Sequence, residues 1–230
     1  NNTIDLVSIE AGEAPVIDVK GYERKRTQVC RIESIVGTTL NIYPKLVWAF
    51  QLTRTPKVQQ YSGLPILNSG LEWFAVRSRY SSWSNSIVGI SGGYGCWIYD
   101  VESTDMANYS AGMFNSVRCE FQRMWVGHRN GVLFDSNCAG ILTGSISACA
   151  VWDSVCQYVL PGIEANFGTV GSVFFGLYDN ILINGNHGAQ NAANLYEANF
   201  ITEWKSDGYF GGSERDIVFR SQFWPAVDLV

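Results

Sequence analysis

A carboxylate stands among aromatic residues in a segment that recurs every 22 residues. Phe175, Glu197 and Phe219 occupy the same position in three successive copies of this segment. A carboxyl group in such a column is either buried and paired or lines a pocket, and burial raises the pKa of a carboxyl group. A raised pKa suits a general acid. Glu197 is therefore a candidate catalytic residue, and the alternatives are a structural pair with Arg220 or an edge position one residue out of register. We expect Glu197 to be partly buried, with Arg220 or His187 as its partner.

Two further acidic residues follow Glu197 in what we predict to be a loop. Glu203 and Asp207 lie there beside Trp204 and Tyr209. Glycoside hydrolysis uses two carboxyl groups about 5–10 Å apart, and aromatic rings can cover the faces of sugars. Glu203 and Asp207 are thus further catalytic candidates, although a solvated turn explains them more simply. The candidate substrate-binding residues are Trp204, Tyr209, His187 and Arg220.

A lyase would require a different set of residues. Asp100, Glu102 and Glu120 could supply acidic groups for calcium on the outward side of a sheet, with Arg123 as the base. Calcium sites normally cluster their oxygen ligands closely, and no tight acidic motif joins these residues. The sequence therefore favours a lyase less than a hydrolase.

Metal and cofactor chemistry find little support in the sequence. Both histidines, His128 and His187, lie in predicted turns, and no group of Cys and His has the spacing of a zinc site. We therefore predict no metal site and no cofactor.

The segment that carries Glu197 belongs to a repeat that extends over most of the chain. Its copies lie at residues 70–76, 95–101, 118–124, 172–175, 194–197 and 216–219. Within the first three and the last three copies the step is 22 to 25 residues. A period in the low twenties, with Gly or Asn at the breaks, is typical of a solenoid. The spacing of apolar residues predicts strands rather than helices.

In a parallel solenoid, residues one period apart form columns about 4.8 Å apart. The predicted inward columns are Leu71–Cys96–Cys119, Trp73–Ile98–Phe121 and Val76–Val101–Met124. The residues predicted to point outward are Glu72, Trp97 and Glu120. Cys96 and Cys119 should then face inward on adjacent coils, either as free thiols or as a disulfide.

Composition limits the class of protein. Of the 230 residues 47% are hydrophobic and 16% are charged, which is enough apolar material for a core. The net charge of −5 gives no electrostatic reason to expect nucleic acid, and no run of 18 apolar residues could span a membrane. We divide the chain into an N-terminal lead-in region, residues 1–63, with a β-hairpin near 28–43, and a β-helix, residues 64–230.

These segments resemble a known family. The hairpin 28–46 and the coil segments 95–102, 161–168 and 194–199 are similar to those of the pectate-lyase-like superfamily of right-handed parallel β-helices. That superfamily includes polysaccharide lyases, polygalacturonase-like hydrolases and bacteriophage tailspikes. The resemblance implies an all-β parallel β-helix with a polysaccharide or cell-surface glycan as partner, outside the cell or on a virion.

Three hypotheses about function follow from this resemblance. The first is an extracellular glycan-cleaving enzyme with paired carboxylates. The alternatives are a tailspike that binds host polysaccharide and a non-catalytic fibre component. A spike would be a homo-oligomer, usually a trimer, with outward residues such as Trp83, Trp97 and Trp125 at its interface. A cleft with two carboxyl groups and aromatic rings would favour an enzyme, whereas a flat or apolar face would favour assembly.

The end of the chain carries its own expectation. The last strand-like segment ends at Trp224, and no capping helix follows it. A bare final coil would expose unpaired backbone groups, and solenoids normally cover such an end. We therefore expect either more chain in the native protein or a partner subunit over this end.

Overall fold

The computed structural model describes the greater part of the chain. The described residues are 6–10, 16–17, 23–24, 26–61, 63–77, 88–105, 109–127, 139–179, 182–185, 191–206 and 212–224. Several residues singled out from the sequence lie outside these ranges, namely Trp83, His128, His187, Asp207 and Tyr209.

The N-terminal region forms an antiparallel sheet. Its elements are β1 (Leu6–Glu10), β2 (Val16–Ile17), β3 (Glu23–Arg24), β4 (Thr27–Val36), β5 (Thr39–Tyr43), a 3₁₀ turn (Leu52–Arg54) and β6 (Lys57–Gln60). Four of the strands pair in the order β5-β4-β1-β6, and β2 pairs with β3. The predicted hairpin is β4 and β5, joined by a two-residue turn at Gly37, whose φ of +60° is easy for glycine.

The rest of the described chain is a parallel β-helix. Its strands are β7 (Ile66–Leu67), β8 (Gly70–Arg77), β9 (Val88–Ser91), β10 (Gly93–Tyr94), β11 (Trp97–Thr104), β12 (Tyr109–Val117), β13 (Glu120–Gln122), β14 (Trp125–Gly127), β15 (Ala139–Ser147), β16 (Ala150–Trp152), β17 (Val155–Gln157), β18 (Ile163–Asn166), β19 (Val173–Phe175), β20 (Tyr178–Asp179), β21 (Leu182–Asn184), β22 (Leu195–Glu197), β23 (Phe200–Ile201), β24 (Glu203–Lys205), β25 (Ile217–Phe219) and β26 (Gln222–Phe223). All pairings among these strands are parallel, and they form an 8-stranded and a 12-stranded sheet. The prediction of an all-β parallel β-helix is therefore confirmed.

One inward column runs along the whole 12-stranded sheet. Its residues are Leu71, Ile98, Phe121, Val151, Phe174, Tyr196 and Val218. We call each coil that contributes one of these residues a rung. The five central residues of the column are at most 1% exposed, so this column is the core of the solenoid. Burying such side chains contributes roughly 1.5–3 kcal/mol each.

The predicted register is wrong at its first step. Ile98 pairs with Leu71, not with Trp73, so the first two rungs are 27 residues apart instead of 25. Trp73 is 76% exposed and has a φ of +60°, which places it at a corner of the coil. Cys96 and Cys119 do lie inward on adjacent rungs as free thiols, and that prediction is confirmed.

The same corner recurs in every rung of this sheet. Its residues are Trp73, Asp100, Arg123, Asp153, Gly176, Ala198 and Arg220, with φ between +48° and +63°. A left-handed residue turns the strand sharply, and for residues other than glycine this conformation is uncommon. The backbone hydrogen bonds between rungs hold it in place, as in the bond from Arg123 N–H to Trp152 O. The corner divides the outward surface of the sheet into two strips.

A ladder of polar side chains runs inside the coil, just before these strands. Its members are Cys96, Cys119, Cys149, Ser172, Asn194 and Asp216. Each of the first five donates its backbone N–H to the side chain of the next member. The donor–acceptor distance is 3.4 Å for the two thiol acceptors and 2.9–3.0 Å for the amide and carboxylate acceptors. The ladder therefore satisfies N–H groups that would otherwise be buried without a partner.

The N-terminal sheet packs along the side of the β-helix. Leu6 and Val29 share a cluster with Tyr94 and Val117 of the helix, and Arg31 lies 4.2 Å from the centroid of the Tyr94 ring. Further along, Trp48 packs on Val170 and Ala192. Among the described residues there is no α-helix, and hence none with the length and apolarity to cross a membrane.

Candidate functional site

The outward surface of the 12-stranded sheet before the corner consists of two parallel columns. One column contains Gly70, Trp97, Glu120, Ala150, Val173, Leu195 and Ile217. The other contains Glu72, Tyr99, Gln122, Trp152, Phe175, Glu197 and Phe219. Glu197 does lie in the predicted column with Phe175 and Phe219. Because alternate residues of a strand point to opposite faces, both columns face away from the core.

The first rungs of this surface carry two aromatic rings side by side. Trp97 and Tyr99 have ring centroids 6.2 Å apart and planes inclined by 34°. The Trp97 ring lies directly over Gly70 of the preceding rung, where any side chain would collide with the indole. Glycine at position 70 therefore lets the indole lie flat along the sheet, with Tyr99 beside it.

Two carboxylates hold these rings from opposite sides. Glu72 Oε1 accepts the indole N–H of Trp97 at 2.6 Å, and Glu120 Oε2 accepts the hydroxyl of Tyr99 at 2.8 Å. Partial burial, then the hydrogen bond to Glu120, raise the pKa of Tyr99 to about 12. The tyrosine therefore stays protonated as a donor, and both rings are fixed in orientation. We call Glu72, Trp97, Tyr99 and Glu120 the outer platform.

An ion pair borders the outer platform at the corner. Arg123 donates to both oxygens of Asp100, at 2.6 and 2.7 Å. The hydrogen bonds from Arg123 hold the pKa of Asp100 below its usual range, so this carboxylate stays ionised. The Arg123 guanidinium also lies 5.8 Å from the centroid of Tyr99, and the exposed Trp73 occupies the same corner one rung earlier.

The last rungs of the same surface are different. Phe175 and Phe219 are 36% and 52% exposed, and Ile217 is 58% exposed. Glu197 lies between the two phenylalanines and forms an ion pair with Arg220 of the next rung. The predicted pairing of a partly buried Glu197 with Arg220 is thus confirmed. An exposed apolar surface with one neutralised carboxylate results.

Of the other described candidates, Glu203 and Trp204 lie on a different sheet from Glu197. Glu203 lies on strand β24 of the 8-stranded sheet, so the prediction of a loop is wrong there. The ring of Trp204 packs edge-on against the buried Tyr196, with centroids 5.7 Å apart. The two glutamates of the predicted hydrolase are therefore on different sheets, and their catalytic role stays a prediction.

The sequence does not predict the outer platform as a unit. It predicts Glu72, Trp97 and Glu120 as outward residues, with Glu120 also a lyase candidate and Trp97 also an interface candidate. It assigns no role to Tyr99. Both hydrogen bonds cross the rungs diagonally, because Trp97 lies opposite Gly70 and Glu120. Tyr99 lies opposite Glu72 and Gln122. Glu72, Trp97 and Tyr99 occupy alternating outward positions of two strands. This pattern is the one sequence signal that indicates the outer platform.

The described part of the chain contains no cluster of three or more His, Cys, Asp and Glu residues able to hold a metal ion. Four carboxylates of this sheet accept hydrogen bonds from protein donors. Glu72 accepts from an indole, Glu120 from a hydroxyl, and Asp100 and Glu197 from guanidinium groups. The chemistry that the outer platform offers is stacking on its rings and hydrogen bonding at its edges.

Comparison with known proteins gives likenesses among solved structures alone. No protein-family model and no curated protein matches the sequence. The tailspike gp61 of Pseudomonas phage phi297 is similar over 98% of this chain and 54% of its own, with 9% identity and a TM-score of 0.42. The tailspike gp49 of Pseudomonas phage LKA1 is similar over 88% and 42%, with 9% identity and a TM-score of 0.39.

A third similar structure is the Gp54 tailspike of Acinetobacter baumannii bacteriophage AP22, solved in complex with capsular saccharide. It is similar over 96% of this chain and 49% of its own, with 9% identity and a TM-score of 0.31. The chain therefore spans about half the length of these solved chains.

Proposed function

We propose that this chain binds a polysaccharide through the outer platform, as part of an extracellular or virion-associated spike or fibre. The observation that carries the proposal is the ring pair Trp97–Tyr99, flanked by the carboxylates of Glu72 and Glu120. A sugar ring has an apolar C–H face and polar hydroxyl edges. The outer platform offers apolar faces and polar edges in the same arrangement.

The dimensions fit a sugar chain. Glu72 and Glu120 lie two rungs apart, which is about 9–10 Å along the helix axis. Each carboxylate uses one oxygen for a ring and has about four lone-pair sites in all, so it can also accept a sugar hydroxyl. The same negative charges would repel uronic acids. The expected ligand is therefore a neutral or amino-sugar segment.

The contacts of the described carboxylates favour binding over cleavage. A glycosidase needs one protonated carboxylic acid and one available carboxylate near the same bond. Here Glu72 and Glu120 each accept a hydrogen bond from a ring, and Asp100 and Glu197 are paired with Arg123 and Arg220. The hydrogen bonds from Arg123 hold the pKa of Asp100 below its usual range, so Asp100 is a poor proton donor. All four carboxylates are thus already engaged by protein donors.

The test is a binding panel. Neutral oligosaccharides of four to six residues, built from glucose, galactose or mannose, are titrated calorimetrically, with oligogalacturonides as the acidic comparison. We expect the chain to bind at least one neutral series and the double variant W97A/Y99A to weaken that affinity by about 30-fold or more, since each lost ring removes on the order of 1 kcal/mol. Phe219→Ala removes an aromatic ring of the last rungs and is the matched control, with unchanged affinity.

Two results would contradict the proposal. Equal weakening by F219A and by the double variant would move the site away from the outer platform, provided circular dichroism shows both variants folded. New reducing ends in mixtures of wild-type protein and the bound oligosaccharide would show that the protein hydrolyses this ligand and does not only bind it.

Assembly is a second candidate function, favoured by the apolar strip of the last rungs. Val173 and Leu195 are half-buried on the outward side, and Ile217 and Phe219 are exposed. Contiguous exposed apolar surface often marks a protein–protein interface, and a homo-oligomer such as a trimer would cover it. Sedimentation should then show a multimer that I217D/F219D converts to monomer. A monomeric wild type would contradict assembly through this strip.

A further inference from the structure

An open depression of about 530 Å³ lies on the outward side of the 8-stranded sheet, away from the outer platform. It is lined by Gly89, Ile90, Ser91, Tyr109, Gly112, Phe114 and Asn115. Its volume falls within the range of about 300–1,000 Å³ that is usual for ligand pockets. None of these residues belongs to the outer platform or to the sites expected from the sequence.

Two glycines create the depression. Gly89 of β9 pairs with Gly112 of β12, so two adjacent strands lack a side chain at neighbouring positions. On the next pair, Ser91 lies beside Phe114, and the Phe114 ring leans over Gly144 of the following rung. A hollow therefore forms where outward side chains would otherwise fill the surface, and an aromatic ring borders it.

Aromatic rings and neutral polar groups surround the hollow. Tyr109 and Phe114 have ring centroids 5.9 Å apart and planes inclined by 60°. Asn115 Oδ1 accepts the hydroxyl of Tyr61 at 3.0 Å, so its NH₂ group can donate to a ligand. Asn115 occupies a corner with a φ of +50°, a conformation that asparagine tolerates better than most residues.

A second lobe extends the depression toward the N-terminal sheet. This lobe has a volume of about 270 Å³ and is lined by Leu6, Tyr61, Gly63, Leu64, Pro65, Ser91, Gly92 and Asn115. Ser91 and Asn115 border both lobes. The two lobes therefore adjoin at Ser91 and Asn115, and together they form one groove.

We infer that this groove is a second saccharide site, which takes an uncharged sugar segment independently of the outer platform. Among the described residues that line the two lobes, none carries a charge. An ionic ligand would lose hydration there without gaining a counter-charge. A neutral sugar would place its C–H face against Phe114 or Tyr109 and accept a hydrogen bond from the Asn115 amide.

Two sites on different sheets would have a consequence for long polymers. A polysaccharide that reaches both sites gains avidity, because the second contact forms at a high effective concentration. Short oligosaccharides would bind each site separately, with two classes of affinity. The second site is formed by its own residues. The groove could therefore bind a sugar even if the outer platform did not.

The experiment uses the platform-deficient variant W97A/Y99A, so that only the groove is left. Saturation-transfer NMR with the neutral oligosaccharide panel should still show binding to this variant. Adding N115G, which keeps the left-handed corner but removes the amide, should reduce the signal at least fivefold. The matched control is Y61F, which removes the Tyr61–Asn115 hydrogen bond, as N115G also does, but keeps the Asn115 amide. Most of the signal should therefore remain when Y61F is added instead. Phe114→Ala, checked for folding by circular dichroism, should act like N115G.

The outcomes separate the two sites. Loss of all binding in W97A/Y99A, or binding that N115G and F114A leave unchanged, would overturn the groove while the outer platform stands. Binding that survives W97A/Y99A and disappears with N115G would support the groove. Oligogalacturonides that bind the variant as well as neutral sugars do would also overturn the inference, because the described residues of the groove offer no positive charge to them.

Discussion

The first three rungs and the last three rungs of the 12-stranded sheet have the same strand–corner backbone conformation, but their outward side chains differ. In the first rungs, outward carboxylates accept hydrogen bonds from Trp97 and Tyr99. In the last rungs, outward phenylalanines and Ile217 are exposed and the carboxylate of Glu197 is paired with Arg220. The repeat therefore sets where a side chain points, and each rung is free to carry a different surface.

The interior ladder changes in the same direction along the chain. Thiol groups of Cys119 and Cys149 accept the N–H bonds of the first rungs, and Asn194 and Asp216 accept those of the last. A thiol is a weak acceptor and a weak donor, and those of Cys119 and Cys149 donate to backbone carbonyls at 3.5 and 3.4 Å. The amide of Asn194 donates to Thr169 O at 2.9 Å. The ladder thus forms stronger hydrogen bonds in the last rungs than in the first.

The ladder comparison gives the largest expected effect. Asn194→Ala removes a buried acceptor and a buried donor and leaves Ser172 N–H and Thr169 O without that partner. We expect a loss of about 3–4 kcal/mol in the free energy of unfolding. Cys119→Ala removes a weak acceptor and the weak thiol donor to Val117 O, together with one sulfur atom, and should cost about 1–2 kcal/mol. Urea denaturation of both variants measures the difference. Equal losses of unfolding free energy would show that the thiol and the amide members of the ladder contribute equally.

The outward comparison predicts a smaller effect on binding. Replacing Glu72 and Glu120 together by alanine frees both rings and removes two acceptors, so affinity for the neutral oligosaccharide should fall by about tenfold, or ~1.4 kcal/mol. Glu197→Ala changes a carboxylate on the same sheet in the last rungs and should leave affinity unchanged. Calorimetric titration measures both affinities. A larger loss of affinity from E197A than from the double variant would place the binding site on the last rungs.

The last member of the ladder introduces a pH dependence. Asp216 Oδ1 accepts Asn194 N–H at 2.9 Å, while Oδ2 is buried without a hydrogen bond in the structure. Burial raises the pKa of Asp216. A raised folded-state pKa means that the stabilisation is present at low pH and is lost as the pH rises through that pKa. The last rungs should therefore be more stable in mild acid than at neutral pH, as far as Asp216 is concerned.

Asp216→Asn is the variant that isolates this effect. An amide at position 216 keeps the acceptor for Asn194 N–H and adds a donor, as Asn194 does one rung earlier. We expect a gain of about 1 kcal/mol at neutral pH and little gain at pH 3. Thermal unfolding of D216N and wild type at both pH values checks this. A destabilised D216N at neutral pH would mean that the carboxylate is favoured in its charged form.

The ion pair of the last rungs should matter least. Arg220 is 63% exposed, and exposed ion pairs contribute little. Arg220→Ala is expected to change the free energy of unfolding by at most about 0.5 kcal/mol, and less in 0.5 M salt because of screening. Denaturation at two salt concentrations measures it. A loss of several kcal/mol would instead indicate that Glu197 is a buried charge that depends on Arg220.

The sequence was sufficient for the fold where the step is regular. The 22-residue steps from Phe174 to Tyr196 and Val218 are exact in the structure, because no insertion separates these rungs. The first step failed because Trp73 is apolar by type and lies at an exposed corner with positive φ. A corner interrupts the in–out alternation, and residue type alone does not reveal where it falls.

The candidate sites were harder to predict for a different reason. The pairing of Glu197 with Arg220 follows from one column and its neighbour, so it could be predicted. The outer platform depends on diagonal bonds between rungs, from Trp97 to Glu72 and from Tyr99 to Glu120. The groove depends on the missing side chains of Gly89 and Gly112. Neither diagonal contacts nor concavity can be derived from a period.

A crystal structure with a bound neutral oligosaccharide, the tightest ligand of the binding panel, would test the proposed function most directly. We expect a sugar ring stacked on Trp97 and Tyr99, with its hydroxyls donating to Glu72 and Glu120. A ligand bound only over Phe175 and Phe219 on the last rungs would contradict it.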